Sequence, residues 1–169
     1  MPEPLSSVWL EFAAQGVMLE VAAQFCPFEA GGLLLGYWND DGSAAVMAAT
    51  RPGPRAAHRL FSFVPDYEFD DKQVALAYER SGRYWGYLGD WHTHPLGSSE
   101  PSRKDLKVAR NIATSEQARS PKPLMAIVSG WRNRHTQFWL YRSGQEALVA
   151  ALFKVFNGDS GGNLNDNLT

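Results

Sequence analysis

The sequence contains a single cysteine, Cys26, and this scarcity excludes an internal disulfide. It also excludes the small domains whose zinc is held by pairs of cysteines. No apolar run approaches the roughly 20 residues that span a bilayer. The N-terminus lacks the basic start and apolar stretch of a secretion signal. Together these absences predict a cytoplasmic protein with no membrane association.

An excess of charge is missing as well, because 16 Lys and Arg stand against 18 Asp and Glu. A net charge of −2 without a run of like charges argues against nucleic-acid binding. Apolar residues are plentiful at 44% of the chain, and they suit one domain with a sizeable core. We predict one domain over residues 1–156 and a flexible, Gly- and Asn-rich tail over 157–169.

Hydrophobic periodicity predicts about six strands interspersed with three or four helices. Several strands are joined by short turns, which excludes a purely parallel sheet and favours a mixed α/β fold. Residues 58–65 predict one strand, and residues 66–82 predict a helix with Asp66 as its N-cap. Residues 146–156 fit a helix or a strand, and we favour the helix because Leu148 and Leu152 fall on one helical face.

The segment GDWHTHPLGSSEPSRKDL, residues 89–106, concentrates residues that bind metals. On an extended strand His92 and His94 point to the same side and form two corners of a zinc tetrahedron. Asp105 falls in the first turn of the next predicted helix and can supply a third ligand. Three protein ligands leave a position for water, as in a catalytic zinc site. Each part also has a plainer interpretation, namely two surface histidines and a capping box formed by Ser102 and Asp105.

The whole pattern resembles the signature of the JAMM metallopeptidases, also called the MPN or JAB family. His92, Thr93, His94 and Pro95 are followed by six residues, then by Ser102, two residues and Asp105. The family pattern also has an upstream glutamate before a Gly-rich strand, and FEAGGLLLG supplies it as Glu29. The resemblance extends over roughly residues 29–139, and every position of the motif is matched.

This resemblance implies an α/β fold of the MPN type, a curved mixed sheet flanked by helices and similar to cytidine deaminases. It implies that His92, His94 and Asp105 hold Zn²⁺. Glu29 would act as general base without binding zinc, and Ser102 would donate a hydrogen bond to the oxyanion. The plainer alternative for Glu29 is an exposed acid between a helix and a strand.

The implied function is that of a zinc-dependent deconjugating isopeptidase or endopeptidase. It would cut the amide bond after the C-terminus of a ubiquitin-like protein or of a conjugated nucleotidyltransferase. Such proteins occur in bacterial anti-phage operons, and among these we favour CBASS. The alternatives are a peptidase that processes a sulfur-carrier or ubiquitin-like precursor, and an inactive MPN scaffold. We further predict that the loops Arg51–Arg55 and Gly97–Ser99 flank the zinc and admit only small residues beside the cut bond.

Four other residues have two interpretations each. Cys26 could be a nucleophile, but no histidine is placed to activate it, and a structural role is favoured. His58 and His135 could contact substrate or lie in solvent. Asp90 could orient a ligand histidine, as acids do around metal sites, or could be an acid at a strand end.

Overall fold

The computed structural model describes residues 7–158 and shows nine strands and three helices within them. In chain order these are β1 (Ser7–Glu11), α1 (Phe12–Phe25), β2 (Gly31–Trp38), β3 (Ala44–Ala49), β4 (Ala57–Arg59), β5 (Ser62–Val64), α2 (Tyr67–Arg80), β6 (Gly86–His94), α3 (Arg103–Thr114), β7 (Leu124–Ser129), β8 (His135–Arg142) and β9 (Ala147–Phe156). The predicted domain over 1–156 stays a prediction. All but the first two residues of the predicted tail lie outside the described residues.

Seven strands form one sheet in the order β1-β3-β2-β6-β7-β8-β9. The sheet closes on itself because β1 pairs in parallel with β9 as well as with β3. The β6–β7 pair is also parallel, whereas the remaining neighbours in this sheet are antiparallel. The prediction of a mixed sheet with helices is therefore confirmed, and the sheet is curved to the point of closure. The similarity to cytidine deaminases stays a prediction.

The main core fills the interior of this closed sheet. Every strand of the barrel contributes buried residues to it, and α1 adds Ala14, Met18, Val21 and Ala22. The other two helices cover the outside. Residues of α2 pack on β2, β3 and β6, and residues of α3 pack on β7 and β8. The outer surface of β6 therefore runs between α2 and α3, which is where the candidate site lies.

Two predictions of secondary structure are wrong. Residues 147–156 form the strand β9, which supplies hydrogen-bond partners to the edges of both β8 and β1. The helical face expected to be buried is open, since Leu152 is 63% exposed. The second error concerns residues 58–65, which form the two short strands β4 and β5 of a separate hairpin instead of one strand.

The caps of α2 agree with the prediction. Asp66 is the N-cap and accepts a hydrogen bond from the Phe69 amide at 3.3 Å. Gly82 follows the end of the helix with a φ of +69°, a conformation that glycine adopts without strain. Within residues 7–158 no helix is long and apolar enough to cross a membrane.

A candidate metal centre at the end of β6

Strand β6 directs two histidines to one side. His92 and His94 alternate with Thr93, which is 1% exposed on the opposite side. Thr93 forms two hydrogen bonds with Ala30, one from its amide to the Ala30 carbonyl at 2.8 Å and one from the Ala30 amide to its hydroxyl at 2.9 Å. These bonds fix the end of β6 against the start of β2, and they set the direction of both imidazoles.

The third candidate ligand comes from α3. The Nε2 atoms of His92 and His94 are 3.0 Å apart. The Asp105 carboxylate lies 3.2 Å from the first of them and 3.6 Å from the second. Zinc bonds of about 2.0–2.1 Å place the ligand atoms of a tetrahedron about 3.3–3.4 Å apart. The three side chains therefore have the spacing of three corners of such a site, and they are compatible with metal binding.

The hydrogen bonding of His94 favours the tautomer that a metal ligand requires. Its Nδ1 lies 2.9 Å from the carbonyl oxygen of Ser98 and donates its proton there. In the neutral ring this leaves the lone pair on Nε2, which faces His92 and Asp105. Burial, together with the charge of His92, lowers the pKa of His94 and favours that neutral form.

Asp105 has two tasks at the start of α3. The Ser102 hydroxyl accepts a hydrogen bond from the Asp105 amide at 3.2 Å. The Asp105 carboxylate accepts one from the Ser102 amide at 2.7 Å. The predicted capping box is therefore present, and it holds the carboxylate beside the histidines. Burial alone would raise the pKa of Asp105, but the adjacent His92 and the bonds to Ser102 keep it well below its usual range.

Glu29 lies between α1 and β2 and lines the same cavity as the two histidines. Its amide donates to the Arg59 carbonyl at 2.7 Å, and its carbonyl accepts from Nδ1 of His58 at 3.0 Å. Burial raises the pKa of the Glu29 carboxyl, while the charges of His92 and Asp105 act on it in opposite directions. Glu29 is thus a half-buried acid facing the candidate ligands, and the alternative of an exposed surface acid does not apply.

His58 is the residue whose position the sequence did not reveal. Its ring stacks on Phe25 with centroids 3.9 Å apart and tilts against Phe63 at 5.4 Å. From this fixed place it bonds the backbone of Glu29, so its role is to position that residue. No local signal marks this role, because the hairpin β4–β5 brings His58 to a residue 29 positions earlier.

The glycines after Glu29 permit a close approach of β2 to its neighbours. Gly31 pairs with His92, and a Cβ on Gly31 would lie 2.4 Å from the Trp91 carbonyl oxygen. A Cβ on Gly32 would lie 2.2 Å from the Thr50 carbonyl oxygen. Both distances are far below van der Waals contact, so the close approach of the strands requires glycine at these two positions.

A groove of about 1290 Å³ runs from the candidate ligands along the outer surface of β6. One wall is α2 with the hairpin β4–β5, and the other is α3 with the segment after it. Of the predicted loop Gly97–Ser99, Gly97 lines the groove, whereas Ser98 and Ser99 do not. The loop Arg51–Arg55 does not line it, because Arg55 turns to Asp66 and Glu68 at the start of α2.

The remaining candidates fall outside the ligand set. Asp90 lines the groove, but its carboxylate accepts from the Tyr87 hydroxyl at 2.8 Å, and no bond to His92 occurs among the described residues. Cys26 is half-buried and His135 is exposed, and neither lines the groove.

Comparison with known proteins gives both sequence and fold relatives. A profile described as "Prokaryotic homologs of the JAB domain" matches residues 13–141. The chain is 36% identical over 144 residues to a probable metalloprotease of Sinorhizobium fredii, a match that covers 84% of the chain and 88% of that protein. It is 35% identical over 104 residues to the CD-NTase/cGAS isopeptidase of Enterobacter hormaechei, covering 60% of the chain and 56% of that protein. A solved structure from Desulfitobacterium hafniense shares the fold, with a TM-score of 0.65, 20% identity and coverage of 89% of this chain and 94% of that one.

Proposed function

The chain belongs to the prokaryotic JAB-domain family of metalloproteases and isopeptidases, and from this premise we propose that it is a zinc-dependent isopeptidase. Its reaction is hydrolysis of the amide bond after the C-terminus of a conjugated or ubiquitin-like protein. The observation that carries this proposal is the cluster of His92, His94 and Asp105 at the end of an open groove, with Glu29 in the same groove.

His92, His94 and Asp105 would hold the metal, because imidazole nitrogens and carboxylate oxygens are ligands that zinc prefers. Bound zinc supplies a Lewis acid that polarises the scissile carbonyl and lowers the pKa of water. The residues of the chain perform the proton transfers. Glu29 takes the proton of the attacking water and passes it to the leaving amine, and its raised pKa brings it closer to neutral pH, where a general base is most effective.

Ser102 is suited to stabilise the developing oxyanion. In the capping box its oxygen acts as acceptor from the Asp105 amide. Its hydroxyl proton is therefore not used by the cap and can be donated to the substrate. Ser102 is exposed and lines the groove. The capping role and the catalytic role use different parts of the hydroxyl and are compatible.

The shape of the groove supports a protein terminus as substrate. A groove open to solvent beside β6 accepts an extended chain, whereas a small amide would leave most of it unfilled. The similarity to a CD-NTase/cGAS isopeptidase supports a conjugated nucleotidyltransferase as the partner. We propose CBASS defence in the cytoplasm as the setting. Processing of a ubiquitin-like or sulfur-carrier precursor is the alternative within the same chemistry. An inactive scaffold is disfavoured because all three candidate ligands are in place.

The test is cleavage of a fusion in which the C-terminal tail of a bacterial CD-NTase nucleotidyltransferase, the proposed substrate, is joined to a reporter domain. Wild-type protein loaded with zinc should release the reporter. His92→Ala should release none, and His135→Ala should match wild type because His135 is an exposed histidine outside the groove. Release by the His92 variant at the wild-type rate would refute the proposal.

A further inference from the structure

Two carboxylates face the groove part of the way along it. Asp70 comes from α2 and Asp90 from β6, and both line the cavity. Asp90 lies two residues before His92 on the side of β6 that faces the groove, which corresponds to about 7 Å along a strand. The pair therefore lies beside the path that an extended substrate takes to the candidate metal centre.

Asp70 has no partner within the described chain. The residue is more than nine-tenths buried, at 8% exposure. Its carboxylate makes no hydrogen bond or ion pair with any residue of the described range, and its charged neighbours are Asp66, Asp71 and Asp90. Lys72 is the nearest cation along the chain, and its ammonium is paired with Glu68, while Arg55 is engaged by Asp66 and Glu68. Buried carboxylates are ordinarily paired or hydrogen-bonded, so an unpaired one that lines a cavity indicates a missing donor.

The surroundings of Asp70 are rich in acceptors as well. Asp90 receives one hydrogen bond, from the neutral hydroxyl of Tyr87 at 2.8 Å. Two carboxylates therefore face this part of the groove, and within residues 7–158 the single hydrogen-bond donor supplied to the pair is the Tyr87 hydroxyl.

We propose that Asp70 and Asp90 form a subsite that binds a cationic side chain of the substrate, with arginine preferred over lysine. This deepens the proposed peptidase function and rests on it. A guanidinium carries five donors in a rigid plane and can bond two carboxylates at once, whereas an ammonium bonds them as a point charge. The aliphatic stem would lie along Val74 and Tyr78, which line the same wall. A bound metal ion fits less well, since the described residues offer a third clustered ligand only at His92, His94 and Asp105.

The experiment measures binding apart from cleavage. Full-length zinc-loaded Glu29→Gln protein is titrated, by NMR, with nine-residue Gly/Ser peptides that carry one arginine at each position in turn. A second series carries citrulline, which has the same shape without the charge. At one position we expect arginine to bind about 10- to 100-fold more tightly than citrulline, because charge-assisted hydrogen bonds to buried carboxylates are lost.

Asp70→Asn and Asp90→Asn are each introduced into the Glu29→Gln protein, and both substitutions keep the shape of the side chain. Each should remove the tighter binding of arginine relative to citrulline. Glu79→Gln removes the same charge from an exposed residue of α2 outside the groove and should leave the advantage intact. Equal binding of arginine and citrulline at every position would overturn the subsite, and so would an advantage that survives both Asn substitutions. Fusion cleavage without an arginine preference would refute the subsite alone, whereas arginine-selective binding without any cleavage would refute the peptidase function alone.

Discussion

Replacing Asp70 by asparagine should stabilise the protein, and the gain should depend on pH. Burial, with the charges of Asp90, Asp66 and Asp71, raises the pKa of Asp70 to about 7 in the folded protein. In the unfolded chain the pKa is near 3.9. Tyr87, whose hydroxyl bonds Asp90, is neutral over the same pH range, since burial raises its pKa as well.

The direction in which the stability of the wild type changes with pH follows from how many protons each state binds. Below about pH 3 both states hold the proton, and the stability of the wild type is then unaffected by this group. As the pH rises toward 7, Asp70 ionises in the unfolded chain but stays largely protonated in the folded protein. The unfolded state is thereby stabilised relative to the folded state. A difference of about 3 pKa units corresponds to at most about 4 kcal/mol of lost stability at pH 8. Asparagine avoids this loss, but it gives up the attraction between a carboxylate and the start of α2, about 0.3–1 kcal/mol.

The assay is chemical and thermal unfolding of wild type and Asp70→Asn at pH 5 and pH 8, with zinc held constant. We expect a gain of about 1 kcal/mol at pH 5, where Asp70 is already ionised in the unfolded chain, and of about 3 kcal/mol at pH 8, equivalent to a Tm higher by roughly 6–12 °C for a chain of this length. Glu79→Gln, the matched change on an exposed part of α2, should show no such dependence. A gain of equal size at both pH values, or an Asn variant less stable than wild type at pH 8, would contradict the buried, unpaired state of Asp70.

Four further outcomes follow from the site. Wild-type protein should carry close to one zinc per chain by elemental analysis, and Asp105→Ala should lose most of it, because two ligands cannot replace three. Glu29→Ala should keep its zinc and lose turnover by about 10²–10⁴-fold; normal turnover, or loss of zinc, would show that it is not the base. Ser102→Ala should lower the stability by about 1 kcal/mol because the helix cap is lost. It should also lower turnover by about 10²–10³-fold because the hydrogen-bond donor to the oxyanion is lost. Unchanged turnover would show that Ser102 acts only as a cap. Gly89→Ala should destabilise the fold by at least about 2 kcal/mol in urea unfolding, because the new Cβ would lie 1.9 Å from the Leu124 carbonyl oxygen. Gly86→Ala on the same strand should be tolerated, since its Cβ would meet open space.

The parts of the site that could be predicted are those encoded within a short segment. A strand alternates its side chains, and a capping box spans four residues, so the relation of His92, His94 and Asp105 follows from residues 92–105 alone. Glu29 was found through its place in the motif, 63 positions before His92. The bond from His58 to the backbone of Glu29 depends on how the hairpin β4–β5 folds back, and local pattern carries no information about it.

The error at β9 has a similar cause. The sequence ALVAALFKVF has apolar residues at both helical and strand spacing, so periodicity alone does not decide between the two. The strand form is favoured because it pairs with the open edges of both β8 and β1. These two strands lie far apart in the sequence, so a local pattern cannot reveal the pairing. Asp70 likewise falls in the first turn of the predicted helix, where acids are common, and its burial is set by the packing of α2 in the folded protein.

The capping box of α3 has a consequence for how the metal is gained and lost. The Asp105 carboxylate is held by the Ser102 amide, and His94 by the Ser98 carbonyl, so both are oriented by bonds that do not involve an ion. The core fills the barrel and is built without these ligands. The centre is therefore preorganised, and the binding of zinc is not coupled to the folding of the chain. Removal of the ion by a chelator should leave a folded protein that regains full activity when zinc is restored, so its activity should follow the free zinc concentration of its surroundings reversibly.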